Sequence, residues 1–345
     1  MAETSERQDA MNPAGENETI TTTTECVSVI IPCYNQAQFL APAVESVLSQ
    51  ASVAVDVIIV DDGSRDGTSD VAAQFGDSVR LIRQENCGLS AARNRGMREA
   101  HGDFVLFLDS DDVLLEGALD RFVSVARNNP EADVFYSGAR LIDSGGEPLC
   151  DVIPGEMGPD PLTALLLANR ISAPGAVVLR RRVWDKVGEF DPQLGASEDW
   201  DYWIRLAAHG ATFIRIPEPL LGYRQHAESL SRKYFTLVEA VRSVSAKHRA
   251  VARRPWRRRL ARHAGRRVMH YFCVNRALRP AVARMIRAGE WRQACATLTR
   301  AVFQDWEAPL FFLVEYWVLA LAARLRPTVQ LRETTVSDGP AVDQQ

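Results

Sequence analysis

The chain has 345 residues, of which 46% are hydrophobic and 24% are charged. These values are ordinary for globular proteins and exclude a wholly disordered or collagen-like chain. The net charge of −4 hides an asymmetry along the chain. Residues 1–230 contain 18 basic and 36 acidic side chains, whereas residues 231–345 contain 22 basic and 8 acidic ones. Such a difference between the two parts indicates two modules.

The chain starts with a polar segment. Residues 1–25 contain six acidic side chains and a run of four threonines. They cannot bury enough apolar surface to fold alone, so we expect a disordered tail. The segment also lacks the basic-then-apolar pattern of a secretory signal.

From residue 26 onward the chain alternates short β-branched runs with amphipathic stretches. The pattern predicts strands at 27–32, 55–60, 79–83 and 104–108, and helices at 39–50, 68–75, 89–100 and 116–128. Near-continuous apolar strands separated by helices indicate an α/β protein, with an open, mostly parallel sheet flanked by helices.

The pattern is less regular after residue 131. It predicts strands at 133–141, 176–179 and 213–216 and a helix at 199–209. After residue 235 it predicts helices alone, at 235–253, 256–277, 280–288, 290–304 and 309–325. We therefore expect an α/β domain over residues 26–232, a basic α-helical C-terminal extension over 233–327 and a disordered tail over 328–345.

Polar side chains follow three of the predicted strands, at the edge where open α/β sheets bind ligands. The first strand leads into 32–35, the second into 61–64 and the fourth into 109–112, and these segments include five aspartates. Crowded carboxylates without a neighbouring Lys or Arg favour a bound cation. Asp109 and Asp111 point to the same side of an extended chain, and their oxygens suit Mg²⁺ or Mn²⁺ together with substrate phosphate.

Several other kinds of site are excluded. The first strand leads into PCYNQAQF, which lacks the G-x-G-x-x-G of a dinucleotide site, and the chain has no P-loop motif. The six cysteines form no C-x-x-C pair and no cluster with histidine. Neither a disulfide framework nor a zinc site is expected, and a reducing cytosol fits this cysteine usage.

A resemblance to a known family rests on six segments in a fixed order. They are VSVIIPCYNQAQFLAPAVESVLSQ, VIIVDDGSRDGT, ENCGLSAARNRGM, GDFVLFLDSDD, SEDWDYWIRL and YRQHAESLS. Together they resemble family 2 glycosyltransferases over about residues 27–232. The resemblance implies the GT-A fold and inverting transfer of a sugar from a nucleotide diphosphate sugar, with UDP as the default nucleotide. The acceptor would be a hydroxyl of a glycan or lipid-linked molecule, in cell-surface polysaccharide or glycolipid synthesis.

The resemblance also implies roles for individual residues. The contacts to the nucleotide sugar would be Pro32, Tyr34, Asn35, Asp62, Arg93, Asp109 and Ser110. Asp111 would hold the metal, with His226 as a further candidate ligand. Asp199 would be the base that deprotonates the acceptor, with Glu198 as the alternative; inversion needs one such base and no covalent nucleophile. Acidic residues at this place would equally suit the start of a helix.

The basic extension has its own candidate partner. Residues 247–267 contain ten basic side chains and no acidic one, which is typical of a helix on an anionic membrane or of a solvated helix face. The apolar stretch 309–326 is shorter than the ~20 residues that span a bilayer. We expect a cytoplasmic protein, peripheral on the inner face of the plasma membrane, and no nucleic-acid partner. The alternatives are a nucleotidyltransferase, or a non-catalytic protein that binds membranes or nucleic acid.

Overall fold

The computed structural model describes residues 25–50, 52–226, 234–248, 282, 284–285 and 287–304. The chain divides into two compact units, with the boundary between His226 and Ala227. The tail predicted before residue 25, most of the basic stretch, the helices predicted at 256–277 and 309–325, and the C-terminal tail lie outside the described residues. Within the described part, no helix has the length and apolar character needed to cross a membrane.

The first unit is built on one nine-stranded sheet. Its strands are β1 (Cys26–Cys33), β2 (Ala54–Asp61), β3 (Arg80–Arg83), β4 (Phe104–Phe107), β5 (Val113–Leu114), β6 (Val134–Ile142), β7 (Pro148–Val152), β8 (Val177–Arg180) and β9 (Phe213–Arg224). The order along the sheet is β3-β2-β1-β4-β8-β6-β9-β5, and β7 pairs with β6. The four strands from β3 to β4 are parallel, as predicted, whereas β8 is antiparallel to both of its neighbours.

Helices connect these strands. In the first unit they are α1 (Ala37–Leu48), α2 (Thr68–Ala73), α3 (Leu89–Glu99), α4 (Ala118–Asn128), α5 (Pro161–Leu167), α6 (Arg182–Val187) and α7 (Glu198–Ala208). The described helices of the second unit are α8 (Tyr234–Lys247) and α9 (Trp291–Gln304). Each predicted strand is present, and all but the last lie within a few residues of their predicted bounds. The predicted helices at 39–50, 68–75, 89–100, 116–128, 199–209 and 290–304 are also present within a few residues, whereas those at 235–253 and 280–288 lie partly outside the described residues.

The core lies on both faces of the parallel strands, because helices cover both. Seven consecutive residues of β1 are buried, and β4 is buried along its whole length. Helix α3 approaches the sheet most closely at Gly96, where an added Cβ would overlap the side chain of Ile30. This close packing fixes α3, which carries Arg93, against the strands that end at the candidate site.

The structure differs from the prediction mainly in the second half of the first unit. Strand β9 extends to Arg224 instead of ending at residue 216. Its prolines at 217 and 219 lack the N–H that a ladder needs, and the register with β6 shifts around Gly138 to accommodate them. The short β5, the fully exposed β7 and the helices α5 and α6 were not predicted. The extension of β9 matters most, because it carries Arg224 to the candidate site.

Candidate active site

Asp62 follows β2 and is buried. Its carboxylate accepts hydrogen bonds from Gln84 Nε2 at 2.8 Å and from the backbone N–H groups of Cys87 at 2.9 Å and Gly88 at 2.8 Å. These three donors all come from the segment that leads into α3. The carboxylate is therefore held in one orientation, and it retains acceptor capacity for a further donor.

The end of β1 and the turn after it contain the next three predicted residues. Pro32 is buried, whereas the ring of Tyr34 is 46% exposed. Asn35 has a left-handed backbone with φ of 52°, its N–H donates to Ser64 Oγ at 3.0 Å, and its Oδ1 accepts from the backbone N–H of Arg65 at 2.8 Å. These bonds tie the first turn to the turn after β2, so the two strand ends form one continuous surface.

The segment after β4 places its acidic residues against different partners. Asp109 Oδ1 lies 2.6 Å from Arg93 Nη2, while Asp111 Oδ2 lies 2.7 Å from His226 Nε2. Ser110, between them, is buried and donates to the side chain of Gln36. Asp109 and Asp111 therefore contact different residues, although their spacing had suggested that they share one partner.

Arg93 joins two parts of the site. Its guanidinium is buried and lies between Asp109 and Glu198, with Nη1 2.5 Å from Glu198 Oε1. Burial opposes the charge, yet the two carboxylates together raise the pKa of Arg93 above its ordinary value. The resemblance implied a direct contact of Arg93 with the base or the diphosphate. In the structure both terminal nitrogens bond to carboxylates, because a buried guanidinium needs such partners. The contact of Arg93 with the donor stays a prediction.

The acidic pair lies at the start of α7, after Ser197, whose backbone is left-handed with φ of 59°. Asp199 accepts from the N–H of Trp200 at 2.7 Å and, at 3.4 Å, from Asn169 Nδ2. Burial, reinforced by the charge of Glu198, raises the pKa of Asp199 to about 7. Of the pair, Glu198 is bound to Arg93, which leaves Asp199 as the better placed base.

A second arginine lies near the carboxylates. Arg224, on β9, donates from Nε to the carbonyl oxygen of Asp111 at 2.7 Å, and its N–H donates to Asp112 at 2.8 Å. Burial and the charge of Asp111 raise the pKa of Asp112 well above its ordinary value. The premise that no basic residue accompanies the aspartates is therefore wrong, since the fold brings Arg93 and Arg224 to them.

The residues around Asp111 can be compared with what a divalent ion needs. Asp111 and His226 supply one carboxylate and one imidazole in direct contact, and Mn²⁺ accepts both ligand types. Across the described ranges, no three His, Cys, Asp or Glu side chains are grouped to hold an ion. Two protein ligands fit an ion that takes the rest of its shell from substrate phosphate and water, as Mg²⁺ sites commonly do.

Sequence reasoning missed several residues that the structure brings to the site. Gln84 and Gln36 fix Asp62 and Ser110, and Asn169 contacts Asp199. For none of these three residues does a motif in the sequence indicate a chemical role. Arg224 could have been noticed, since it lies two residues before His226 in the quoted segment YRQH.

Comparison with known proteins gives a family and several relatives. The model of the family described as Glycosyl transferase family 2 matches residues 28–147. A glycosyltransferase of Rickettsia felis is 28% identical over 214 residues, which make up 60% of this chain and 35% of that protein. The chain thus spans about a third of that relative's length. TuaG of Bacillus subtilis, a putative teichuronic acid biosynthesis glycosyltransferase, is 32% identical over 211 residues, 59% of this chain and 81% of TuaG.

Solved structures of similar fold include two glycosyltransferases with bound donors. The S. aureus TarS fragment 1–349 in complex with UDP-GlcNAc has a TM-score of 0.51 and 18% identity, covering 64% of this chain and 66% of TarS 1–349. The mannosyltransferase PcManGT of Pyrobaculum calidifontis, in complex with GDP-Man and Mn²⁺, has a TM-score of 0.56 and 18% identity, covering 88% and 87%. At this level of identity the likeness concerns the fold.

Proposed function

The chain belongs to glycosyl transferase family 2 and has the GT-A fold, and from that premise we propose that it is an inverting, metal-dependent enzyme that transfers a sugar from a nucleotide diphosphate sugar. The acceptor is a hydroxyl of a glycan or lipid-linked molecule. One observation carries the proposal: the buried Arg93 contacts both Asp109, after β4, and Glu198, at the start of α7. The end of β4, which suits the donor, and the start of α7, which suits the base, therefore lie side by side.

In this proposal the donor lies along the ends of β1, β2 and β4. Asp62 accepts a hydrogen bond from the nucleotide base, and its fixed orientation makes that contact specific. Pro32, Tyr34 and Asn35 line the base and ribose, with the exposed ring of Tyr34 free to stack. Asp109 and Ser110 lie toward the ribose. UDP is the first nucleotide to test and GDP the second, because TarS 1–349 was solved with UDP-GlcNAc and PcManGT with GDP-Man.

Asp111 and His226 would hold the metal ion. When bound, a divalent ion neutralises charge that develops on the leaving diphosphate. The direct contact of the two side chains supports this pairing, since a carboxylate and an imidazole that lie together could both serve as ligands of one ion. Arg224, bonded to the backbone of Asp111, would fix the orientation of this aspartate.

Asp199 would act as the base. Its pKa of about 7 lets it both exist as a carboxylate and accept a proton near neutral pH, which is the range in which general bases work best. It would remove the proton of the acceptor hydroxyl as that oxygen attacks the anomeric carbon. A single displacement of this kind inverts the configuration at that carbon.

The biological setting follows from the acceptor class. TuaG is named as a putative teichuronic acid biosynthesis glycosyltransferase. We place the chain in cell-surface polysaccharide or glycolipid synthesis, in the cytoplasm and peripheral on the inner face of the plasma membrane. The basic residues 247–267 would bind the anionic lipid surface.

A panel of nucleotide sugars tests the proposal. We expect one of the UDP-, GDP- or dTDP-sugars to raise the melting temperature in the presence of Mn²⁺, and the same sugar to be transferred with inverted configuration, as NMR of the product reports. Asp111→Asn should largely abolish the metal-dependent part of the shift. Asp77→Asn, at an exposed site in the turn before β3, should leave it intact. If every nucleotide sugar fails to bind and to react, the proposed function is wrong. Unchanged Mn²⁺-dependent affinity in Asp111→Asn would refute the metal assignment.

A further inference from the structure

One partly buried arginine, which follows the residue that contacts the proposed base, has no partner among the described residues. Within the described part of the first unit, three arginines form neither an ion pair nor a side-chain hydrogen bond: Arg65, Arg170 and Arg181. Arg65 and Arg181 are exposed, where water solvates the charge. Arg170 is partly buried, and its Nε is fully buried without a partner. A buried polar atom without a partner is rare and requires an explanation.

Arg180 shows how this fold accommodates an arginine with a structural role. It is likewise partly buried, but its guanidinium donates to the backbone carbonyl groups of Ala126, Asn129 and Ala132. Its guanidinium group also lies over the rings of Phe104 and Phe135. Arg170 has no such set of acceptors in the described chain, so its charge is not accounted for by packing alone.

The position of Arg170 in the chain and in the sheet favours a role in binding the acceptor and not the donor. It follows Asn169, the residue that contacts Asp199. The segment from Asn169 leads into β8, which lies beside β4 on the side opposite β1 and β2. Asp62, the proposed contact to the nucleotide base, follows β2. Arg170 is therefore the chain neighbour of the residue that contacts the proposed base, in a segment that leads to the side of β4 away from β2.

A second cation lies nearby. Tyr136 donates its hydroxyl to the carbonyl oxygen of Gly155 at 3.2 Å, and Arg170 covers the same glycine so closely that an added Cβ would lie 2.9 Å from its Nη1. Arg215 is the direct neighbour of Tyr136 in the β6–β9 register. Burial raises the pKa of Tyr136, and Arg215 and Arg170 both oppose that rise, as expected for two cations near its hydroxyl.

Arg215 forms an ion pair that contributes little. Its Nη1 forms an ion pair with Glu156 at 2.7 Å, but the Glu156 side chain is 77% exposed and its contribution is small. The Nε of Arg215, like that of Arg170, is buried without a partner. Two guanidinium groups with unused donors thus flank Tyr136 and Gly155, beside the residue that contacts Asp199.

We propose that Arg170, assisted by Arg215, binds an anionic group of the acceptor, either a carboxylate or a phosphate on the glycan. This inference rests on the proposed function, since it assigns the acceptor class of the same site. A guanidinium presents its donors in a planar fork that matches both anions, and charge-assisted hydrogen bonds of this kind are the strong ones. The bound anion would accept hydrogen bonds from the terminal nitrogens of the two guanidinium groups and orient the acceptor hydroxyl toward Asp199.

Binding of three matched sugars tests the proposal without knowledge of the natural acceptor. The protein is first saturated with Mn²⁺ and the nucleoside diphosphate that stabilises it most, so that the donor site is filled. Calorimetry at low salt then gives the Kd of glucose, glucuronate and glucose 6-phosphate. We expect at least one of the two anionic sugars to bind about tenfold or more tightly than glucose, and the tighter of the two identifies the acceptor anion as carboxylate or phosphate. Equal affinities for all three sugars would overturn the proposal.

Variants then assign the effect to Arg170. Arg170→Gln should bring the Kd of the anionic sugar to within about threefold of the Kd of glucose, and Arg170→Lys should retain part of the preference. Arg181→Gln removes an exposed charge beyond the far end of β8 and should retain the whole preference. Gly155→Ala keeps every charge but displaces the Arg170 guanidinium, so it should weaken the preference as well. A preference that survives Arg170→Gln would refute the assignment.

A separate measurement distinguishes this inference from the proposed function. Hydrolysis of the nucleotide sugar in the absence of acceptor depends on the donor site and not on Arg170. If hydrolysis fails with every nucleotide sugar while the Arg170-dependent preference, measured then without nucleotide, persists, the proposed function is wrong and the anion site stands. If hydrolysis is normal and the preference is absent, the anion site is wrong and the proposed function stands.

Discussion

Three acidic side chains at the start of α7 lie in different surroundings. Glu198 is bound to Arg93, and Asp201 is buried and paired with Arg205 at 2.9 Å. Asp199 has no ion pair in the described structure, and its hydrogen bonds come from one backbone N–H and from Asn169 at 3.4 Å. Of the three carboxylates, Asp199 is therefore the one available to accept a proton from a substrate.

Replacement of this carboxylate should stop catalysis and spare binding. Asp199→Asn is nearly isosteric but cannot act as a base, so we expect kcat to fall by about 10²–10⁴-fold while donor affinity stays within about twofold. Asp185→Asn, on the exposed side of α6, serves as the matched control. If Asp199→Asn retains near-normal kcat and Glu198→Gln abolishes it, the base is Glu198. If both variants stay active, neither is the base.

The raised pKa of Asp199 also predicts a pH profile. The base must be ionised to accept a proton, and burial together with Glu198 raises its pKa to about 7. We expect kcat/KM to fall about tenfold per pH unit below pH 7 and to level off above it, because kcat/KM reports the free enzyme. Initial rates between pH 5 and 9 give the curve. An acid limb near pH 4 would indicate an unperturbed carboxylate and would contradict this assignment.

The sequence located much of the candidate site but not how its parts are held. The aspartates after β2 and β4 could be predicted to meet, because parallel strands end at one edge. Arg93 stands in a helix with ordinary helical composition, and its contact with Glu198 spans 105 positions of the chain. A single sequence carries no signal for such a contact, which is why the arginines that accompany the aspartates were not predicted. Asn169 and Arg170 were missed for the same reason.

Among the elements, those with the strongest local pattern were the most predictable. The apolar strands β1, β2 and β4 and the helix α7 carry unbroken signals, and the structure has them close to their predicted positions. Strand β7 is exposed at every residue and therefore shows no hydrophobic alternation. Helix α5 did leave a signal, since Asp160 caps it by accepting from the N–H of Thr163 and proline opens its first turn.

Packing of α3 on the sheet gives a prediction about stability. The Cβ added by Gly96→Ala would overlap Ile30, so the helix must shift, which typically costs about 1–3 kcal/mol. Urea unfolding should show a lower midpoint with an unchanged slope. Gly195→Ala is the matched control, because no atom lies within 4 Å of its added Cβ. Equal stabilities of the two variants would show that α3 does not pack as described.

For the whole molecule, the main asymmetry is one of charge. The first unit is acidic and holds every residue proposed for donor and acceptor, while the basic side chains concentrate after residue 230. An acidic surface is repelled by anionic lipid, so any attraction must come from the basic part of the chain. Substitutions in the basic part should therefore change the proposed membrane binding and leave the proposed catalysis unchanged.

We expect the full-length chain to sediment with vesicles that contain phosphatidylserine at low salt and to be released at high salt, where electrostatic attraction is screened. Each basic residue near the surface contributes about 1 kcal/mol, so replacing Arg257, Arg258 and Arg259 by glutamine should weaken binding on the order of 100-fold. Vesicles of neutral lipid are the control and should bind little. If the chain ignores anionic vesicles at low salt, membrane association is refuted.

The antiparallel pairing of β4 with β8 has a consequence for synthesis on the ribosome. Strand β8 begins about seventy residues after β4 ends, so at about 5–20 residues per second roughly four to fourteen seconds pass before β4 can be covered. During that time the nascent chain presents an apolar strand with one unpaired edge, which is a template for pairing with another chain. Aggregation in the cell would therefore depend on how long translation takes between these two strands, a quantity that the stability of the finished protein does not reveal.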